Sequence, residues 1–200
     1  MPFPRANVEM EMKPRAFTLI ELLVVIVIIA ILSGLAFPVY QTIQNQAKKT
    51  QAKNDLIQIV TAVNAFYAEY GRYPTTETTD TYATYGMASN SGALFNELRG
   101  KTATLNTRQI VFISPPEDSA QSNPKGKIGS DGQFYDPWGS AYSLRIDADY
   151  DNQVANPFGG NAGAGPDPIR QGVIAWSVGK DLTLGKNGKF TGSDDVISWQ

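Results

Sequence analysis

The 200-residue chain contains no cysteine and no histidine, is 42% hydrophobic, and carries 17 Lys+Arg against 19 Asp+Glu for a net charge of −2. Ser-His-Asp and Cys-His catalytic groups, thiolate or imidazole zinc sites and disulfide frameworks are thereby excluded. With no basic stripe, a nucleic-acid surface is not expected either, and metal chemistry through oxygen ligands is what stays accessible.

The averages conceal a segregated pattern. Between residues 17 and 39 only Thr18, Glu21 and Ser33 are clearly polar. As a helix this block is about 35 Å long, enough to span a bilayer. The flank before it carries Arg5, Lys13 and Arg15 against Glu9 and Glu11, so the basic end is expected to stay cytoplasmic and the remainder to be exported. Gly34 and Ala36 also fit the small residues of a secretory cleavage site. Glu21 opposes that simpler reading, because a charge inside the apolar run costs about 2.5–3.5 kcal/mol near the bilayer centre and an export signal has no use for it.

The run Ala16-Phe17-Thr18-Leu19-Ile20-Glu21-Leu22-Leu23-Val24-Val25 resembles the cleavage and methylation motif of type IV prepilins and of the pseudopilins of type II secretion. The resemblance implies that a prepilin peptidase cuts between Ala16 and Phe17 and methylates the new terminus. Residues 1–16 are then a leader and Glu21 is the fifth residue of the mature chain. Ala16 stands where the family usually has glycine. Cleavage would create an α-ammonium on Phe17, which Glu21 of a neighbouring subunit can pair with in a low-dielectric filament core.

Beyond the apolar block, Ala52, Leu56, Ile59, Val60, Val63, Phe66, Tyr67 and Tyr70 recur at spacings of three and four, the stripe of an amphipathic helix. Lys48, Lys49, Gln51, Lys53, Asp55, Gln58 and Asn64 form the opposite face. The pattern predicts one helix over 17–70, in which 17–39 faces lipid or sister helices and 40–70 lies under a domain. Gly34 and Pro38 mark a kink between the halves, since an internal proline removes a helical hydrogen bond. Gly71 supplies a left-handed cap, and Tyr73-Pro74 an extended exit.

From 71 to 200 the chain is rich in Gly, Pro, Asn and Asp, and reads as one small domain. Strands are predicted at 141–146 (AYSLRI) and 172–178 (GVIAWSV), with 109–113 (QIVFI) as a weaker third. Residues 159–165 (GGNAGAG) read as a flexible loop, because no phosphate-binding Lys-Ser/Thr follows. Asp136-Pro137-Trp138-Gly139 is a type I turn signal. Asp147-Ala148-Asp149-Tyr150-Asp151-Asn152 begins like a calcium loop, but Asn152 replaces the required glycine and Phe158 the closing Glu, so a turn is the better reading.

Tyr73-Pro74-Thr75, Asp136-Pro137-Trp138-Gly139, the Tyr142 strand and Asp194-Asp195-Val196-Ile197-Ser198-Trp199 together resemble the major pseudopilin of type II secretion. That resemblance implies an α+β pilin-like fold and Ca²⁺ held in the C-terminal loop. Carried over by position, Asp181 and Asp195 are the first and last ligand aspartates, and Asp194 stands in where Gly192 replaces a further one. The expected protein is a non-enzymatic filament subunit, single-pass in the inner membrane with its domain in the periplasm. Its expected partners are further pseudopilin subunits, the prepilin peptidase and the inner-membrane assembly platform. A type IV pilus subunit is the alternative reading, and a secreted calcium-dependent enzyme the outsider.

Overall fold

A computed structural model describes residues 17–81, 84–86 and 89–200, with the side chains of 35–39 also left outside the description. The chain divides into two compact units, Met1–Gln44 and Asn45–Gln200. Helix α1, Leu19–Tyr70, begins in the first unit and ends in the second.

In the first unit every described side chain from 17 to 34 is exposed. The helix is apolar all round there, so no face is selected for burial within the subunit. It runs through Gly34, around which an added Cβ would meet nothing within 4 Å. The Pro38 side chain, on which the predicted kink depends, lies outside the described residues, as do the leader and Ala16. Among the described residues no helix is long and apolar enough to cross a membrane.

In the second unit α1 presents the expected stripe. Ala52, Leu56, Ile59, Val63 and Phe66 are fully buried, and Ala62 joins them. Two positions depart from the reading. Tyr67 is 40% exposed and stacks on Tyr73, with ring centroids 4.6 Å apart. Asp55, placed on the polar face, is half-buried and accepts a 2.8 Å hydrogen bond from the Tyr142 hydroxyl. Gly71 takes the expected left-handed φ of 66° and its N–H caps the Tyr67 carbonyl.

Four strands follow in a meander: β1 (Thr84–Tyr85), β2 (Ser143–Ile146), β3 (Val173–Ser177) and β4 (Val196–Ile197), every neighbouring pair antiparallel. Leu144 pairs with Ala175 and Trp176 with Ile197. Strand β3 is buried along its whole length, and the pleat explains how. Val173 and Ala175 join the main core with the α1 stripe, Leu144 and Ile146. The alternate residues Ile174 and Trp176 point into a second cluster with Val154, Ala164, Ile169 and Val178. The architecture is therefore α+β, a helix packed on a small antiparallel sheet.

The strand expected at 109–113 does not form. Gln109 adopts a φ of 50°, outside the β region, and the N–H groups of Phe112 and Ile113 both reach the Leu98 carbonyl rather than a strand neighbour. That carbonyl ends a helix with no counterpart in the sequence reading, α2, Gly92–Leu98. Leu94, Phe95 and Leu98 are its buried face.

Candidate functional site

Two places bear on function, one in each unit. At the start of α1, Thr18 and Glu21 bind each other reciprocally. The Thr18 N–H and hydroxyl donate to Glu21 Oε2 at 2.8 and 2.7 Å, and the Glu21 N–H donates to Thr18 Oγ1 at 3.3 Å. This is a capping box, a Thr at the N-cap with a Glu three residues on, and it satisfies helix-end donors that otherwise lack partners. Glu21 thus has a local task inside one subunit, besides any task between subunits. The signal Thr-x-x-Glu is present in the sequence, where Glu21 was assigned a pairing with Phe17 of a neighbouring subunit and not a cap.

The second place is the loop from Gly179 to Asp195 that links β3 to β4. Ser177 starts it: its hydroxyl donates to Asp136 Oδ2 at 2.6 Å and accepts from the Gly179 N–H at 3.1 Å. Asp136 is fully buried, and its Oδ1 accepts the N–H groups of Trp138, Gly139 and Ser140 at 2.8–2.9 Å. The predicted Asp-Pro-Trp-Gly turn is therefore present, and it anchors the root of the loop. Burial pushes the Asp136 carboxyl up, against the pull of these donors.

Gly179 has a φ of 69°, and a Cβ there would lie 2.6 Å from the Asp194 carbonyl oxygen. Only glycine lets the two ends of the loop approach this closely. Asp194 Oδ2 then accepts the N–H groups of Lys180 and Asp181. Asp181 Oδ1 accepts the N–H and hydroxyl of Thr183 at 2.9 and 2.8 Å, which holds its carboxyl below the usual range. Asp195 Oδ2 accepts the Gly185 N–H at 2.8 Å. Its Oδ1 is buried and has no hydrogen-bond partner. Burial raises the Asp195 carboxyl against the pull of the Ser193 side chain and the Gly185 N–H, and the charges of Asp194 and Asp181 add to the rise.

Asp181, Asp194 and Asp195 thus share one loop and feel each other's charge, but their oxygens do not converge on a point. Among the described residues the carboxylates that do converge are Asp80, Asp147 and Asp149, with one oxygen of each within 4.8 Å of the others. Asp80 was not singled out by sequence, because it lies 67 positions before Asp147. Much of that cluster is spoken for by the backbone. Asp147 accepts the N–H groups of Asp151 and Asn152, and Asp80 accepts that of Ala148, so the turn predicted at 147–152 is what forms.

Compared with protein families, residues 12–37 match the model described as the prokaryotic N-terminal methylation motif. The chain carries a prepilin-type methylation motif. The motif indicates a type IV pilin-like subunit and implies processing by a prepilin peptidase and assembly into polymers. Phe17, Thr18 and Glu21, with the exposed apolar residues that follow, all fall inside the matched segment. No curated protein and no solved structure matches the chain.

Proposed function

We propose that this protein is a structural, non-catalytic subunit of a type II secretion pseudopilus. In this reading the chain is cut between Ala16 and Phe17, methylated on Phe17, and held in the inner membrane by residues 17–39 with its domain in the periplasm. Polymerisation on the inner-membrane platform packs the exposed apolar helices together, and repeated head-to-tail contacts give an open filament. Growth of that filament drives exported proteins outward. The observation that carries the reading is the methylation-motif match, supported by a helix start whose described apolar side chains are exposed.

The loop from Gly179 to Asp195 is the proposed calcium site. A hard divalent cation takes six to eight oxygens, and Asp195 Oδ1 is a buried acceptor with no donor. Leaving such a group unpaired costs about 1–3 kcal/mol, a penalty a cation would remove. Asp181, Asp194 and Asp195, whose oxygens do not meet at one point in this structure, would have to close on the ion, which when bound would tie the loop without a disulfide and stabilise the folded subunit through mass action. The absence of cysteine favours a secretion subunit over a type IV pilin that closes its C-terminal loop with a disulfide.

Mass spectrometry of the N-terminus of the membrane-extracted protein tests the processing. A chain starting at methylated Phe17 is expected, whereas a chain starting at Phe37 identifies a secreted protein and removes the filament reading. Thermal melts of the full chain with calcium and with chelator test the metal. A calcium-dependent rise that Asp181→Ala and Asp195→Ala abolish is expected, and an unchanged melting temperature removes the site.

A further inference from the structure

One end of the domain is basic, and it is the end at which α1 enters. Gln46, Lys49 and Lys53 of α1 line one cavity of about 360 Å³ with Phe190 and Asp195 of the loop between β3 and β4. The Lys53 ammonium donates to the Ile197 carbonyl at 2.7 Å, so the end of that loop is seated on the first turns of the striped helix. Gly126 abuts the same turns, since a Cβ there would lie 2.6 Å from Gln51 Nε2, and it brings exposed Lys125 with it. With Lys48, Lys180, Lys186 and Lys189, this end holds seven lysines against Asp55, Asp136, Asp181, Asp194 and Asp195. The other side chains of 45–200 reverse the balance, with seven cations against eleven anions. Lys53 is occupied by its carbonyl, and the other six lysines form no ion pair among the described residues.

The same loop exposes apolar side chains between its lysines. Leu182 is 52% and Leu184 38% exposed, with Lys180 before them and Lys186 after. Leu182 has a φ of 59°, a left-handed backbone that disfavours a bulky residue and that surrounding contacts must hold. Asp181 Oδ1, which accepts both the N–H and the hydroxyl of Thr183, supplies that hold. Leucines kept outward between ammonium groups have the chemistry of a segment lying at a headgroup boundary, where apolar tips enter the acyl layer and lysines reach phosphates.

We propose that this end of the domain docks on the anionic headgroup layer of the membrane that holds residues 17–39: Leu182 and Leu184 dip below the phosphates, and Lys48, Lys49, Lys180 and Lys186 pair with them. The inference rests on the membrane-anchored reading above and is independent of the calcium reading. Charge and tether select the occupant. The apolar run ends at Val39 and Lys48 follows nine residues later, at most about 30 Å of chain, so an anchored domain meets the bilayer at high effective concentration. An anionic surface attracts this end and repels the acidic remainder. Docking sets the orientation of the unassembled subunit, and entry into a filament has to break it.

The full chain, which has no cysteine, is labelled with an environment-sensitive fluorophore at Leu182→Cys, Leu184→Cys or Val111→Cys. It is reconstituted into phosphatidylcholine vesicles with and without a third of phosphatidylglycerol. Val111 is exposed at the other end of the domain, where its neighbour Phe112 packs on Phe66. At both leucine positions the emission is expected to shift to the blue, and to be quenched by lipid-borne nitroxide, in the anionic vesicles alone, with Val111→Cys unchanged. Lys186→Gln with Lys189→Gln is expected to lower the docked-to-free ratio on the order of tenfold, and molar salt to do the same. Flotation reports the anchor separately: a chain that does not float with neutral vesicles overturns the membrane-anchored reading and this inference together. A chain that floats while both leucine labels stay in water overturns the docking alone. So does shielding that is equal in neutral vesicles, or that grows with protein density, the mark of a second copy.

Discussion

From 19 to 34 the side chains of α1 are exposed on every side, and from 45 to 70 one stripe of them is closed off completely, with Leu56, Ile59 and Phe66 at 0% exposure. Both stretches are continuous helix. What differs is the arrangement of apolar residues around the axis. An all-round apolar helix cannot be satisfied by packing one face on a small domain, so its burial has to come from lipid or from other copies. A striped helix is satisfied inside the subunit. The methylation motif sits on the first stretch, so in the proposed reading assembly and folding draw on different parts of one element.

Truncation breaks that comparison most directly. Phe66 is fully buried and its ring lies 4.6 Å from that of Tyr70, so Phe66→Ala is expected to cost about 3–5 kcal/mol of domain stability. Ile26 is 56% exposed, and Ile26→Ala is expected to leave denaturant melts of the domain within about 0.5 kcal/mol while reducing polymer formed in cross-linking of membranes. Comparable losses in the melts for both variants would mean that the two stretches do not divide the work.

A smaller effect tests how the striped half is held. Among the described residues Tyr142 is the largest fully buried side chain, and its hydroxyl donates to Asp55 across 87 positions of sequence. Tyr142→Phe keeps the ring and strips the half-buried carboxylate of that donor. A loss of about 1–2 kcal/mol in urea melts is expected. Burial of the Tyr142 ring raises its hydroxyl far above the usual range, with the Asp55 charge adding to the shift, so the hydroxyl stays a donor throughout accessible pH. No change in midpoint would mean that packing alone fixes the helix on the sheet.

How far the sequence reached follows the same division. Periodicity is an average over many residues, so the long helix, its apolar and striped halves and the two longest strands were all legible in it. Features made by few residues were not. Helix α2 offers only Leu94, Phe95 and Leu98 as a pattern, and β1 and β4 are two residues each, defined by partners rather than by composition. QIVFI at 109–113 had the right residues for a strand, but the bonds of Phe112 and Ile113 to α2 took precedence. In the loop from Gly179 to Asp195 the aspartates stand where the resemblance led us to expect them. The orphaned Asp195 Oδ1 had no signal in the sequence, because it depends on how the loop closes.

Acid titration probes the domain where buried Arg99 and exposed Lys101 share one partly exposed carboxylate. Arg99 and Lys101 both pair with Glu117 and, by those hydrogen bonds, hold its carboxyl down to about 2. A depressed carboxyl contributes stability above its unfolded value, near 4.5, and loses it as pH falls toward about 2. Glu117 is largely in solvent, so screening keeps the amount below about 1 kcal/mol. Glu117→Gln is expected to lower the midpoint slightly at pH 7 and to match wild type at pH 2. A difference that grows on acidification would reverse the assignment.

An effect of similar size falls on the unstriped half and separates the two tasks of Glu21. Within one subunit its carboxylate receives the Thr18 N–H and hydroxyl, a capping box that Gln at the same position can also complete. Between subunits the proposed partner is the ammonium of a processed Phe17, which requires a negative charge. Glu21→Gln therefore keeps the cap and loses the ion pair, whereas Glu21→Ala loses both. If pairing governs assembly, both variants are processed yet polymerise poorly. If capping governs, Glu21→Gln assembles like wild type, and Glu21→Ala alone frays the first turn by about 1 kcal/mol, visible as faster amide exchange at residues 19–22. Because the described side chains at the helix start are exposed and do not hide such a loss, even this small term is readable there, where the same change under the domain would be masked.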